Sequence, residues 1–153
     1  DEIVSQLLMK TNDLLNEGDL QGATTIVERS VAAGLDSSVV NSMKSNVEAE
    51  IRRRDRIVFL IERAKVLLAS GYITEPQNEN VVSVAREIAR IDPGNTIAEE
   101  MLDRAADILV QVAEEAYAFN LWEDAKYYLE LALTVKPNSQ AGRDLLINWN
   151  INS

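Results

Sequence analysis

The sequence lacks the two residue types on which most catalytic and metal sites depend. Its 153 residues include no cysteine and no histidine. Without cysteine there is no disulfide framework, no thiolate nucleophile and no thiolate metal site. The cysteine count therefore favours neither an oxidising nor a reducing compartment. Without histidine the commonest general base and the commonest transition-metal ligand are missing. We therefore expect no catalytic residue, no metal and no cofactor, and we predict that the protein is not an enzyme.

Residues that interrupt helices are also scarce. The chain has 3 prolines, 6 glycines and an aromatic content of 5%, whereas 46% of its residues are hydrophobic. The apolar residues are mostly Ala, Leu, Val and Ile, which is typical of stacked helices. The length permits one domain with a hydrophobic core. The sequence therefore predicts a single all-α domain over residues 1–153.

Positive charge is in deficit, with 15 basic against 25 acidic residues and a formal net charge of −10. A field of that sign repels phosphate backbones and anionic lipid headgroups. The longest continuous apolar run, Ile57–Ile61, is far shorter than the roughly 20 residues of a membrane-spanning helix. We expect neither nucleic-acid binding nor membrane insertion. No signal peptide is visible, and the opening Asp1-Glu2 is typical of a segment from a longer protein.

Apolar residues recur at helical spacing along nearly the whole chain, without sustained strand-like alternation. Two helices that end near Gly18 and Gly34 predict an antiparallel hairpin over residues 3–35. From Ser37 to Ser70 there is neither Gly nor Pro, so one helix of about 50 Å is possible. Further hairpins are predicted over 57–92 and 95–137, and a C-terminal capping helix over 139–149.

The long helix has two different halves. In the first half, a narrow apolar stripe consists of Val40, Met43, Val47 and Ile51. We expect the first hairpin to cover this stripe, which predicts a monomer. If it does not, the stripe can pair with its copy in a dimer. The second half, Ile57 to Leu68, is apolar nearly all round, and we expect neighbouring hairpins to enclose it.

Internal similarity supports a repeated hairpin. The second helices end comparably, with VERSVAAGLD at 27–36, VAREIARIDP at 84–93 and LELALTVKP at 129–137. A hairpin that cannot bury its own apolar face must stack on a copy of itself. The first helices end at turn residues, namely Gly18, Gly71 and Asn120.

The chain resembles the tetratricopeptide-repeat (TPR) family, most closely over residues 106–139. The family's signature spacings are matched by Leu109, Val112, Ala113, Ala125, Ala132 and Pro137. The resemblance implies antiparallel hairpins stacked as a short solenoid, with a capping helix at the C-terminus. The turn residues recur 53 and then 49 residues apart instead of 34. The first helices are therefore extended, and the loop at 72–78 is enlarged.

The resemblance also implies a function, which is the binding of a protein or peptide on an inner surface formed by the first helix of each hairpin. Carried over to this sequence, the peptide-binding positions are Asn12, Asn16, Glu62, Lys65, Gln111, Glu114 and Tyr117. The family's clamp for an acidic peptide tail needs a lysine where this chain has Leu8, Ile61 and Val110, so we predict that this use is absent. A basic or amphipathic partner fits the negative charge better.

Several features admit more than one interpretation. Trp122 and Trp149 are interpreted as core residues, with interface anchors as the alternative. The basic cluster at 52–56 is interpreted as a set of helical ion pairs with preceding glutamates, with contact to an acidic partner or a phosphate as the alternative. The whole chain is predicted to be a non-catalytic binding scaffold of a larger protein. The alternatives are a homo-oligomerisation module and a structural spacer or regulatory module without an external ligand.

The chain is also similar to helical-repeat regions of large bacterial multi-domain proteins. This similarity suggests the bacterial cytoplasm or periplasm and does not choose between them. The compartment remains open.

Overall fold

A computed structural model describes residues 2–151, and over this range the chain is helical without any strand. The described helices are α1 (Glu2–Asn16), α2 (Leu20–Ala32), α3 (Ser37–Ala69), α4 (Val81–Ile91), α5 (Thr96–Ala118), α6 (Trp122–Val135) and α7 (Gln140–Asn148). The all-α prediction is confirmed. The TPR-like stacking of the hairpins stays a prediction.

The chain forms two compact units, unit 1 from residue 1 to 56 and unit 2 from residue 57 to 153. The single domain over 1–153 stays a prediction. The division falls within α3, which is one unbroken helix, as the absence of Gly and Pro had allowed. Each unit has its own hydrophobic core, and the two are described separately.

Unit 1 packs the hairpin of α1 and α2 against the beginning of α3. Its buried cluster consists of Ala23 and Val27 from α2 with Met43 and Val47 from α3. The predicted cover of the apolar stripe by the first hairpin is therefore confirmed for Met43 and Val47. Val40 is buried too, whereas Ile51 at the end of the stripe is 38% exposed.

Polar groups in unit 1 are satisfied locally. The buried hydroxyls of Thr11 and Ser30 donate to the carbonyl oxygens one helical turn earlier, each at 2.8 Å. In the basic cluster, Glu50 forms ion pairs with Arg53 and Arg54, each at 3.1 Å. Arg54 also donates to the carbonyl oxygen of Gly18 at 2.8 Å. These contacts support the interpretation of the cluster as helical ion pairs.

Unit 2 has the larger core, built by the end of α3, by α4 and by α5. Its main cluster consists of Leu60, Ala64, Leu67, Val81, Val82, Val84, Ala85, Ile88, Ala98, Met101 and Ala105. Alanines provide much of the contact, which lets the helices approach closely. In the next hairpin, Ala113 of α5 and Leu129 of α6 are fully buried.

The expected enclosure of Ile57 to Leu68 is wrong. Leu60, Ala64 and Leu67 face the core, but Val58, Phe59 and Val66 are 61%, 58% and 54% exposed. The core residues recur every three or four positions and so form one stripe of α3. A helix that is apolar all round needs neighbours on every side, and α4 and α5 cover one face.

The helix ends follow the sequence closely. Gly18, Gly71 and Asn120 all have positive φ angles, of 85°, 80° and 60°, as expected of residues that reverse the chain after a helix. Ser139 begins α7 by accepting a hydrogen bond from the backbone N–H of Gly142 at 3.1 Å. Gly142 is buried, and a Cβ atom there would lie 2.9 Å from a methyl group of Leu133. The lack of a side chain at Gly142 therefore allows α7 to pack closely on α6.

Candidate peptide-binding groove

Unit 2 contains a groove with a volume of about 380 Å³. Its walls are the end of α3, the loop before α4, and the facing sides of α5 and α6. The residues that line it are Leu68, Gly71, Ile73, Thr74, Glu75, Ile108, Leu109, Val112, Tyr127, Tyr128 and Leu131.

One wall of the groove is a loop that Asn80 holds in place. The Asn80 side chain is buried, and its amide nitrogen lies within 3.0, 2.8 and 3.2 Å of the carbonyl oxygens of Thr74, Pro76 and Gln77. Its amide oxygen accepts the backbone N–H of Ser83 at 2.8 Å, which caps α4. One side chain thus joins the loop to the helix that follows, so the wall is preorganised.

Backbone hydrogen bonds fix the same loop a second time. The N–H groups of Val81 and Val82 donate to the carbonyl oxygens of Tyr72 and Ile73, at 2.8 and 3.2 Å. These bonds satisfy donors at the first turn of α4, which would otherwise have no helical acceptor. Thr74 and Glu75, which face the groove, therefore lie in a loop that is held at both of its ends.

The lining of the groove combines apolar and polar groups. Leu109 is buried, and Ile108, Val112 and Leu131 are half-buried, so aliphatic carbon is available to a ligand. The rings of Tyr127 and Tyr128 meet edge to face, with centroids 5.2 Å apart, and Tyr127 is 51% exposed. The tyrosine hydroxyls, the Glu75 carboxylate and the Thr74 hydroxyl can orient a polar backbone.

The groove lies in a negatively charged unit. Residues 57–153 include 15 acidic and 8 basic side chains, which gives this unit a net charge of −7. Only one of these carboxylates, Glu75, lines the groove. The surrounding field favours a ligand with positive charge, while the lining favours apolar side chains.

No protein-family model, curated protein or solved structure matches this chain. Its candidate site is therefore defined by geometry alone. Within residues 2–151, no helix is both long enough and apolar enough to cross a membrane. The described side chains also include no group of three or more potential ligands that could hold a metal ion.

All seven residues predicted to bind a peptide lie on exposed helix surfaces, and none of these seven described residues lines the groove. In unit 1, Asn12 and Asn16 lie on α1, and the side-chain oxygen of Asn12 accepts a hydrogen bond from Asn46 at 2.9 Å. In unit 2, Glu62 and Lys65 of α3 form an exposed ion pair at 3.2 Å. Such a pair contributes little to stability.

The three predicted residues on α5 follow one another at intervals of three residues and are all exposed. Gln111 lies one helical turn beyond Ile108 and is exposed. Tyr117 lies on the opposite side of α5 from Ile108, at the helical rotation of 100° per residue. There it stacks on Trp149 at 4.6 Å, and Glu114 lies one turn before it. The peptide-binding role of these residues stays a prediction.

Sequence reasoning missed Ile108, Tyr127 and the loop wall. One signal for them was present, because the loop after Gly71 is longer than a helical hairpin requires. The adjacent Tyr127 and Tyr128 were a second signal, since a helix that buries one residue of such a pair leaves the other partly exposed. Neither signal specifies which helix faces the loop.

Proposed function

We propose that this chain is a non-catalytic scaffold that binds a segment of a protein or peptide, and that the groove of unit 2 is the binding site. The observation that carries the proposal is the loop wall held by Asn80. A concave surface with a preorganised wall binds a ligand without a further cost of ordering that wall. The apolar floor and the tyrosine hydroxyls at the rim match the general chemistry of binding sites.

The size of the groove limits what it can hold. Its volume of about 380 Å³ lies at the lower end of the range for ligand sites, which is roughly 300–1,000 Å³. A space of that size accommodates one or two apolar side chains. The ligand is therefore a segment that inserts an aliphatic or aromatic anchor, with its basic residues in the surrounding negative field.

The composition of the chain supports a binding role over a catalytic one. With neither histidine nor cysteine in the sequence, general acid–base or nucleophilic chemistry would depend on carboxylates, lysines, tyrosines or hydroxyls. The groove contains one carboxylate, Glu75, and no lysine. A paired arrangement of acid and base is not part of its lining.

The proposal includes a TPR-like organisation of the hairpins. Its support is local, and consists of the positive φ angles at Gly18, Gly71 and Asn120 and the complete burial of Ala113 at a small-residue position. Self-association through the stripe of α3 receives no such support, because Val40, Met43 and Val47 are buried within unit 1. For this reason we favour recognition of another protein over homo-oligomerisation.

Selection from a random peptide library, followed by affinity measurement on variants, tests the proposal. Ile108→Arg fills the groove with a charged side chain, and Ile97→Arg is the matched control in the first turn of the same helix, where Ile97 is 37% exposed. We expect selected peptides to lose at least about ten-fold in affinity on Ile108→Arg, which is about 1.4 kcal/mol. The Ile97→Arg variant should bind as the parent does.

Thermal melts of both variants distinguish a blocked groove from an unfolded protein. Tyr127→Ala is a second variant that removes a half-exposed ring with little risk to the core. The proposal is wrong if selected peptides bind the parent and the folded Ile108→Arg and Tyr127→Ala variants equally well. It is also wrong if no peptide is selected.

A further inference from the structure

A second surface of unit 2 consists of aromatic side chains that are packed together and yet exposed. The rings of Tyr117 and Trp149 are stacked, with centroids 4.6 Å apart and planes inclined by 7°. Trp122 meets both rings edge to face, at 5.9 and 6.0 Å. We call these three residues, with Phe119 and Leu121, the aromatic patch.

The patch is not a fragment of the core. Tyr117 is 47% exposed, Trp122 is 40% exposed and Phe119 is 76% exposed. The interpretation of Trp122 as a core residue is therefore wrong, and Trp149 is half-buried against its aromatic neighbours. Exposed aromatic side chains in contact with one another are the residue types that dominate binding hot spots.

The backbone under the patch is fixed. Leu121 N–H donates to the carbonyl oxygen of Ala116 at 2.8 Å, and Asn120 N–H donates to that of Tyr117 at 3.0 Å. Together with the positive φ of Asn120, these bonds form the paired C-terminal cap of α5. Phe119 and Leu121 are thus presented to solvent from a rigid turn.

Negative charge predominates around the patch. Glu114 and Glu115 precede the turn and Glu123 and Asp124 follow it, and all four are exposed. The sequence has no Lys or Arg from residue 105 to residue 125. Glu115 lies in the last turn of α5, where the helix dipole disfavours negative charge. Glu123 and Asp124 lie in the first turn of α6, where the helix dipole favours negative charge, so only Glu115 is placed against a dipole. A bound cation would offset that unfavourable placement.

We propose that the aromatic patch binds an arginine-bearing segment of a partner protein. A guanidinium group is planar, stacks on exposed faces of Trp and Tyr rings, and donates to carboxylates in a fixed fork. The rings of the patch offer the first kind of contact, and the exposed carboxylates before and after the turn offer the second. None of the five patch residues lines the groove, so this interaction is separate from ligand binding there.

The two tryptophans of the chain are Trp122 and Trp149, so the intrinsic tryptophan emission reports on this patch alone. The probe is a short capped peptide of alternating arginine, glycine and serine. Control peptides replace arginine by lysine, which keeps the charge, or by citrulline, which keeps the shape without the charge. We expect a saturable change of emission with arginine, weaker binding with lysine and none with citrulline.

Matched variants separate a specific site from general attraction to an acidic protein. Glu114→Gln with Glu123→Gln removes two carboxylates beside the patch, and Glu28→Gln with Glu48→Gln removes two exposed carboxylates from unit 1. We expect the first pair to weaken binding of the arginine peptide by about ten-fold and the second to change it little. Phe119→Ser tests the aromatic contribution and should also weaken binding, without lowering the melting temperature.

Three outcomes overturn the inference. The first is an emission that the arginine peptide leaves unchanged, and the second is equal binding of the arginine and citrulline peptides. The third is an equal loss of arginine-peptide binding in the two double variants, which would indicate attraction by net charge alone. Ile108→Arg serves as the cross-check, because blocking the groove should leave arginine binding intact even if the groove has no ligand.

Discussion

The cores of the two units use the same kinds of side chain but differ in the number of side chains that they enclose. Among the described residues, eleven buried side chains form the main cluster of unit 2, against four in the cluster of unit 1. Partly buried apolar residues surround both clusters, and in unit 1 they outnumber the enclosed ones. A core with few enclosed side chains can relax around a substitution. A core with many enclosed side chains passes the resulting strain on to its packed neighbours. The unit with the larger core is also the one with the groove and the aromatic patch.

The largest expected effect is the loss of stability when one buried residue of each unit is replaced by alanine. Leu129 of unit 2 is fully buried, and Met43 of unit 1 is 1% exposed. We expect Leu129→Ala to lower the free energy of unfolding by about 3–5 kcal/mol and Met43→Ala by about 2–3 kcal/mol, because half-buried neighbours can close around the smaller cavity. Urea denaturation measures both. A larger loss of unfolding free energy in Met43→Ala than in Leu129→Ala would contradict this difference between the two cores.

The next effect concerns the loop that forms one wall of the groove. We expect Asn80→Ala to cost about 2–3 kcal/mol, because it removes the cap of α4 and leaves loop carbonyls without their donor. Asn95→Ala is the matched control, since Asn95 caps α5 through the N–H of Ala98 at 2.9 Å and donates its amide to Asp92 at 3.0 Å, outside this loop. It should cost about 1 kcal/mol.

Limited proteolysis adds a local readout to that pair of variants. Cleavage between residues 72 and 79 should become faster in Asn80→Ala and stay unchanged in Asn95→Ala. Equal cleavage of the loop in both variants would show that the backbone bonds from Val81 and Val82 hold the wall without Asn80.

The smallest effect is expected at the end of the α3 stripe. Ile51 is 38% exposed, so an aspartate there keeps access to water and should cost only about 0.5–1 kcal/mol. The parent and the Ile51→Asp variant should each have the sedimentation coefficient of a monomer at every concentration. A concentration-dependent dimer in the parent that disappears in Ile51→Asp would restore the dimer interpretation.

Helix positions were predictable because their signals are local. Gly18, Gly71 and Asn120 mark chain reversals within a few residues of where the structure has them. Helical spacing also identified Met43 and Val47 as buried. These predictions depend on the steric preferences of single residues and on the period of one helix, which a sequence displays directly.

What could not be predicted depends on the number and position of neighbours. Phe59 and Val66 are as apolar as Leu60 and Leu67, and only the packing of α4 and α5 against one side decides which are buried. The groove was missed for the same reason. It joins Leu68, Ile108 and Tyr127, which lie far apart in the sequence, across a loop whose shape depends on one buried asparagine.

The most direct test of recognition in the groove is a methyl-labelled NMR titration of the full chain with a selected peptide. We predict that the largest shift changes occur at Ile108, Val112 and Leu131, and that Val40 and Val47 of unit 1 stay unchanged. Ile73 should respond as well, because it lies in the loop wall. Shift changes centred on unit 1, with the groove methyl groups unaffected, would contradict the assignment of binding to unit 2.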